Sequence, residues 1–140
     1  MKIPFIILIA MFSTQSLSEE HSLIGTWKSD EQKTLASIHS VEGITKEAID
    51  LFENDFFGKL LIHYKTDEYR NYIPGETDDL EEFNKYYPYK VLKKYREYIE
   101  ISSYSALLED YEVVKHYWEK DCYYVYTSKW QFKEYFCKVE

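Results

Sequence analysis

From Gly58 onward the chain adopts a hydrophobic period of two and holds it through seven short segments rich in β-branched and aromatic residues. They run 59–65 (KLLIHYK), 68–73 (EYRNYI), 88–95 (PYKVLKKY), 97–102 (EYIEIS), 111–118 (YEVVKHYW), 122–127 (CYYVYT) and 132–138 (FKEYFCK). Lys65-Thr66-Asp67 and Glu119-Lys120-Asp121 read as tight turns. Connections this short force antiparallel neighbours, because a parallel crossover needs about a dozen residues or more. Pro74 and Gly75 open a longer acidic loop. With the segment around Trp27 as a first strand, the count reaches eight. A meander of that many short strands is predicted to close, since closure removes the unpaired edges. The expected fold is mainly β: an antiparallel up-and-down β-barrel of about eight strands, with two short helices inserted after the first strand.

Those helices are announced by their caps. In SDEQ, Ser29 is placed to accept from the backbone of Gln32 while the Gln32 side chain reaches back. Leu35, Ile38 and Val41 follow at helical spacing until Gly43 stops the run, which predicts a helix over 30–41. Thr45 caps a second, over 45–56, with Ile44 and Ile49 as a hydrophobic staple and Ala48, Ile49, Phe52 and Phe56 as its apolar stripe.

The segments 122–127 and 133–138 are predicted to form a hairpin turning about Lys129 and Trp130, in which facing residue numbers sum to 259. That register sets Cys122 opposite Cys137, Tyr123 opposite Phe136 and Tyr124 opposite Tyr135. A Cys122–Cys137 disulfide is therefore expected, worth about 3 kcal/mol in the chain-entropy account. The CxxC spacing of a redox or metal site is not present.

An oxidising compartment is consistent with the other end of the chain. MKIPFIILIAMF is one lysine followed by an apolar block, and STQSLS offers Ser16 and Ser18 as the small residues of a cleavage site. This predicts a signal peptide over 1–18, a single domain over 19–140 and a periplasmic or secreted protein; a retained amphipathic anchor is the alternative. The block is too short to span a bilayer, which takes about 20 residues. A net charge of −8 excludes phosphate-neutralising partners such as nucleic acid and favours cationic ones. Fifteen tyrosines, eight phenylalanines and three tryptophans supply ample material for a small core.

Gly25-Thr26-Trp27 resembles the GxW signature that opens the first strand of lipocalins and fatty-acid-binding proteins, the calycin superfamily. The resemblance implies that Trp27 packs across the closed base of the barrel and that Gly25 lets the backbone bend there. It also implies that the two helices cap the mouth, as in the fatty-acid-binding layout. The chain departs from that layout in its leader and in having about eight strands rather than about ten. Lys133-Glu134-Tyr135 is similar to the basic-x-tyrosine pair with which some members hold a carboxylate. The family residue there is arginine, and lysine is a poorer bidentate partner; an exposed lysine beside a core or surface tyrosine is the plainer reading. The closest description is a small exported bacterial lipocalin-like protein.

No catalytic motif is present, and the protein is not expected to be an enzyme. His21, His39, His63 and His116 lack zinc-site spacing. Ser37 to Ser40 and Ser102 to Ser105 lack a nucleophile elbow. ETDDLEEF (76–83) lacks the EF-hand pattern and its central glycine, and reads as a solvated loop or one helical turn with Leu80 and Phe83 inward. No cofactor or metal is expected. The first functional expectation is an exported binding protein for a hydrophobic or amphipathic small molecule. Phe52 and Phe56 would face the ligand or lid, and Ile62, Tyr64, Val91, Ile99, Ile101, Val113 and Tyr124 would line the lumen, with Lys133 and Tyr135 nearby. The alternative is an inhibitor or immunity protein that neutralises a cationic enzyme or toxin through an acidic, tyrosine-rich surface.

Overall fold

The structure, a computed structural model, describes residues 21–139. The expected leader lies outside the described residues. In chain order the elements are β1 (Gly25–Ser29), α1 (Glu31–Ser40), α2 (Lys46–Glu53), β2 (Leu61–Tyr64), β3 (Glu68–Tyr72), a 3-10 turn (Glu81–Asn84), β4 (Tyr87–Lys94), β5 (Tyr98–Ser105), β6 (Asp110–Glu119), β7 (Cys122–Tyr126) and β8 (Lys133–Lys138). Each strand pairs antiparallel with its neighbour in sequence, and β8 returns to β1 to close the barrel.

Local chemistry explains most element boundaries. Gly25 sits at φ 129°, a conformation that a side chain disfavours, as the first residue of the strand that carries Trp27. Asp30, not Ser29, caps α1, its carboxylate accepting from the Lys33 N–H at 2.9 Å. Ser29 is still paired to Phe136 in β1 and buried, and its hydroxyl accepts instead from the Gly58 N–H at 3.0 Å. Thr45 caps α2 through the Ala48 N–H, as its sequence context predicts. That helix ends at Glu53, short of Phe56.

The hairpin has the expected register, with Cys122, Tyr123 and Tyr124 facing Cys137, Phe136 and Tyr135, and the two sulfurs form a disulfide. Three carboxylates of the acidic segment have partners within the chain. Glu76 pairs with Lys59 and Glu81 with Lys85, both at 3.2 Å, while Asp78 accepts from the Gly75 N–H. Phe83 is half-buried but Leu80 is exposed, which corrects the expectation that both point inward.

Two apolar clusters stabilise the molecule. The larger fills the barrel with Leu23, Trp27, Ile62, Tyr64, Tyr89, Ile99, Ile101, Tyr123 and Phe136. The smaller joins the helices to the β7–β8 turn through Ile38, Phe52, Phe57 and Phe132, with Trp130 packed against it.

Past the last β1–β8 pair, α1 does the work of a strand along the edge of β8. β1 pairs with β8 only as far as Ser29↔Phe136. Beyond that point the Tyr135 N–H donates to Thr34 Oγ1 at 3.0 Å and the Lys133 N–H to Ser37 Oγ at 2.8 Å. Hydroxyls three residues apart on one helix face thus satisfy amides two residues apart on the strand. Thr34 is fully buried.

Closure is uneven elsewhere. β5 pairs with β6 over eight residue pairs, but β3 meets β4 at two and β6 meets β7 at three, Tyr117↔Tyr124 to Glu119↔Cys122. The strands β4, β5 and β6 therefore form a wing joined to the rest of the barrel by two narrow seams.

Candidate functional site

The alternation of side chains assigns the inner face of each strand. Ile62, Tyr64, Ile99 and Ile101 point inward and are buried, as expected of lumen residues. Val113 does not; it is 62% exposed, because the inward face of β6 is carried by Val114, His116 and Trp118. Val91 pairs with Ile101 and shares the face of Tyr89 but is 41% exposed, at the last regular pair before the register of β4 shifts between Val91 and Lys93. Tyr124 is half-buried on the outer face, since Tyr123 takes the inner one.

The centre of the lumen is filled by side chains. There His116 Nε2 lies 3.3 Å from the Tyr64 hydroxyl, which lies 3.4 Å from that of Tyr123. Burial draws the His116 pKa down to about 4 and raises those of Tyr64 and Tyr123. Trp27 is buried against Tyr123 and Trp118, its Nε1–H donating to the Leu23 carbonyl at 2.7 Å. At the helical end, Phe52 is buried edge-on to Phe56, Trp130 and Phe132. Phe56 itself is 54% exposed. The cleft beside these rings holds about 210 Å³, below the roughly 300 Å³ of an ordinary small-molecule site.

Lys133 and Tyr135 also point outward, beneath α1. The Lys133 ammonium lies 4.5 Å from the centre of the Tyr124 ring, and the Tyr135 hydroxyl faces Glu119 at 3.5 Å. Burial, and secondarily the Glu119 carboxylate, push the Tyr135 hydroxyl up to about 12. Both residues therefore have partners of their own outside the lumen, and the pair does not converge on an internal carboxylate site.

Two further features, one on the outer surface and one through the barrel wall, were not visible in the sequence. One is a belt of tyrosines crossing four strands: Tyr95, Tyr98, Tyr117, Tyr124 and Tyr135 succeed one another at ring separations of 4.9, 5.3, 5.3 and 5.2 Å. Tyr126 flanks it, 46% exposed. The other is an open cleft of about 650 Å³ where β6 and β7 part, floored by Val114 and Val125 and bordered by Tyr117 and Tyr126. Its charged lining is Glu100, Glu112, Glu134 and Lys115. Glu134 shares the inner face of β8 with Phe136, and burial raises its carboxyl above the usual range. Pairing length is a property of three-dimensional closure, so no periodicity could have announced the cleft.

Eight antiparallel strands closed in sequence order, with two helices after the first, are consistent with a calycin-like fold. No protein-family model matches the chain, and comparison with curated proteins and with solved structures gives no match either. Among the described residues no helix is long and apolar enough to cross a membrane. The disulfide fits a periplasmic or extracellular setting.

Proposed function

We propose that this is an exported lipocalin-like barrel that binds a partner protein through its outer surface, in the manner of an inhibitor or immunity protein. The observation that carries the reading is the contrast between inside and outside. The centre of the lumen is occupied by Tyr64, His116 and Tyr123, while Tyr95 and Tyr126 of the tyrosine surface are exposed and a 650 Å³ cleft opens to solvent through the wall between β6 and β7. Tyrosine supplies large contact area with few torsions to freeze and is enriched at binding hot spots. The net charge of −8 favours a cationic partner and would speed encounter with it. Interior packing is what sets this reading above carriage of a small molecule in the lumen.

Native mass spectrometry of the protein purified from its own host provides the test. A co-purified polypeptide is expected, released by salt and weakened about tenfold in a Tyr117→Ala, Tyr124→Ala double variant. A co-purified lipid or other small molecule, retained in that variant, would refute the reading.

A further inference from the structure

We infer that the partner enters as an extended strand added to the free edge of β6, with a lysine or arginine side chain seated against Glu134. The inference rests on the partner-binding reading and names the chemistry that the partner must carry.

β6 is ten residues long, and β5 covers one of its edges from Asp110 to Tyr117. On the other edge β7 stops at Tyr117↔Tyr124. The phase of the ladder is fixed by the Trp118 N–H, which donates to the Glu97 carbonyl on the β5 side. Even-numbered amides of β6 therefore face β5, and those of Tyr111, Val113 and Lys115 face the cleft. Asp110 Oδ1 takes up the Tyr111 N–H at 2.7 Å. What remains is a length of strand, about 13 Å from residue 111 to 115, whose Val113 and Lys115 backbone groups face the cleft. Proteins blunt such edges with charge, proline or bulges. Here Lys115 is the only cation on the exposed stretch, and its ammonium leans over the Tyr98 ring at 5.2 Å.

The cleft also selects by charge. Its lining holds three carboxylates, Glu100, Glu112 and Glu134, and a single lysine, Lys115. Among the described residues the half-buried Glu134 carboxylate has no ion pair or side-chain hydrogen bond, and partial burial raises its carboxyl. A partly desolvated carboxylate without a cationic partner is less stable than a paired one, and a cationic side chain delivered by an added strand supplies that partner. Main-chain pairing supplies affinity and the carboxylates supply selectivity, the usual division in strand addition.

The probe is an acetylated and amidated heptapeptide alternating lysine with valine, titrated calorimetrically into the mature protein, with the glutamate–valine analogue as control. The lysine peptide is expected to bind and to slow hydrogen exchange at the Val113 and Lys115 amides, and the glutamate peptide is not. Val113→Pro removes a donor that β5 does not use and blocks the edge, so it should weaken binding about tenfold or more while the disulfide and near-ultraviolet spectrum are retained. If that variant does not fold, Glu112→Lys, at an exposed position, should weaken binding about fivefold. Equal binding of both peptides, unchanged exchange at Val113 and Lys115, or full affinity in Val113→Pro would overturn the inference. So would absence of any peptide binding. If the salt-sensitive polypeptide complex persists in Val113→Pro, the edge is excluded while partner binding stands; if no polypeptide is found in the wild type, the underlying reading falls.

Discussion

His116 is the residue at which folding and pH meet. Its ring is buried against Tyr64 and Tyr123, and burial lowers its pKa to about 4 from the ordinary 6.5. An unfolded chain takes up this proton as pH falls through about 6.5, whereas the folded chain refuses it until about 4. His116 therefore erodes stability as pH drops across that window, by up to about 3 kcal/mol. Glu134 acts with the opposite sign, because its raised carboxyl disfavours the fold only once ionised, and protonation relieves that penalty. Urea unfolding at pH 7, 5.5 and 4.5 should show a falling midpoint in the wild type. In His116→Gln the part of that slope due to this ring should vanish; an identical slope would show that the ring is not the titrating group. At this scale the sequence was a partial guide. Thr45 and the cysteine pair could be read from spacing alone. Ser29 reads as the cap from sequence alone because a serine next to an acidic residue offers two caps, and only the length of β1 decides between them.

The element with the most unusual duty is α1. Its hydroxyls take the amides of Tyr135 and Lys133 where a ninth strand or an extended β1 would otherwise pair. Thr34 is the critical member, since it is fully buried and holds the Tyr135 N–H at 3.0 Å. Thr34→Val keeps the shape and removes the acceptor, leaving a buried amide unsatisfied at a cost of about 1–3 kcal/mol. The expected result is a lower chemical-denaturation midpoint with faster exchange at the Tyr135 amide; an unchanged midpoint would mean that water replaces the hydroxyl. Helical period in the sequence reveals which residues of α1 are apolar, and Ile38 is indeed buried. It is silent about Thr34 and Ser37, polar residues whose value lies in a strand about a hundred positions away. The β7–β8 hairpin was legible for the opposite reason, its partners being close in sequence and marked by cysteines.

At the scale of the whole molecule, strand period and short turns foretold closure and strand order. They did not foretell how far each pair of strands stays together. Val113 and Tyr124 were assigned to the lumen because β6 and β7 carry apolar side chains on both faces, and alternation cannot choose between two apolar faces. The seams have a dynamic consequence. β4, β5 and β6 are held to one another by long ladders but to β3 and β7 by two and three residue pairs. Cooperative units of this kind open below the global unfolding free energy. The wing should therefore open as one body, carrying Tyr89, Ile99, Ile101 and His116 out of the core, while β7 and β8 stay joined by the Cys122–Cys137 disulfide. Native-state hydrogen exchange in low denaturant should group the ladder amides of β4–β6 at one opening free energy, beneath that of β1, β2 and β8. Opening bares His116, so the same group of amides should exchange more readily between pH 6.5 and about 4 once intrinsic rates are corrected. If all strands exchange at one free energy with one pH dependence, the seams do not divide the barrel, and the cleft beside β6 is a fixed groove rather than the edge of a movable wing.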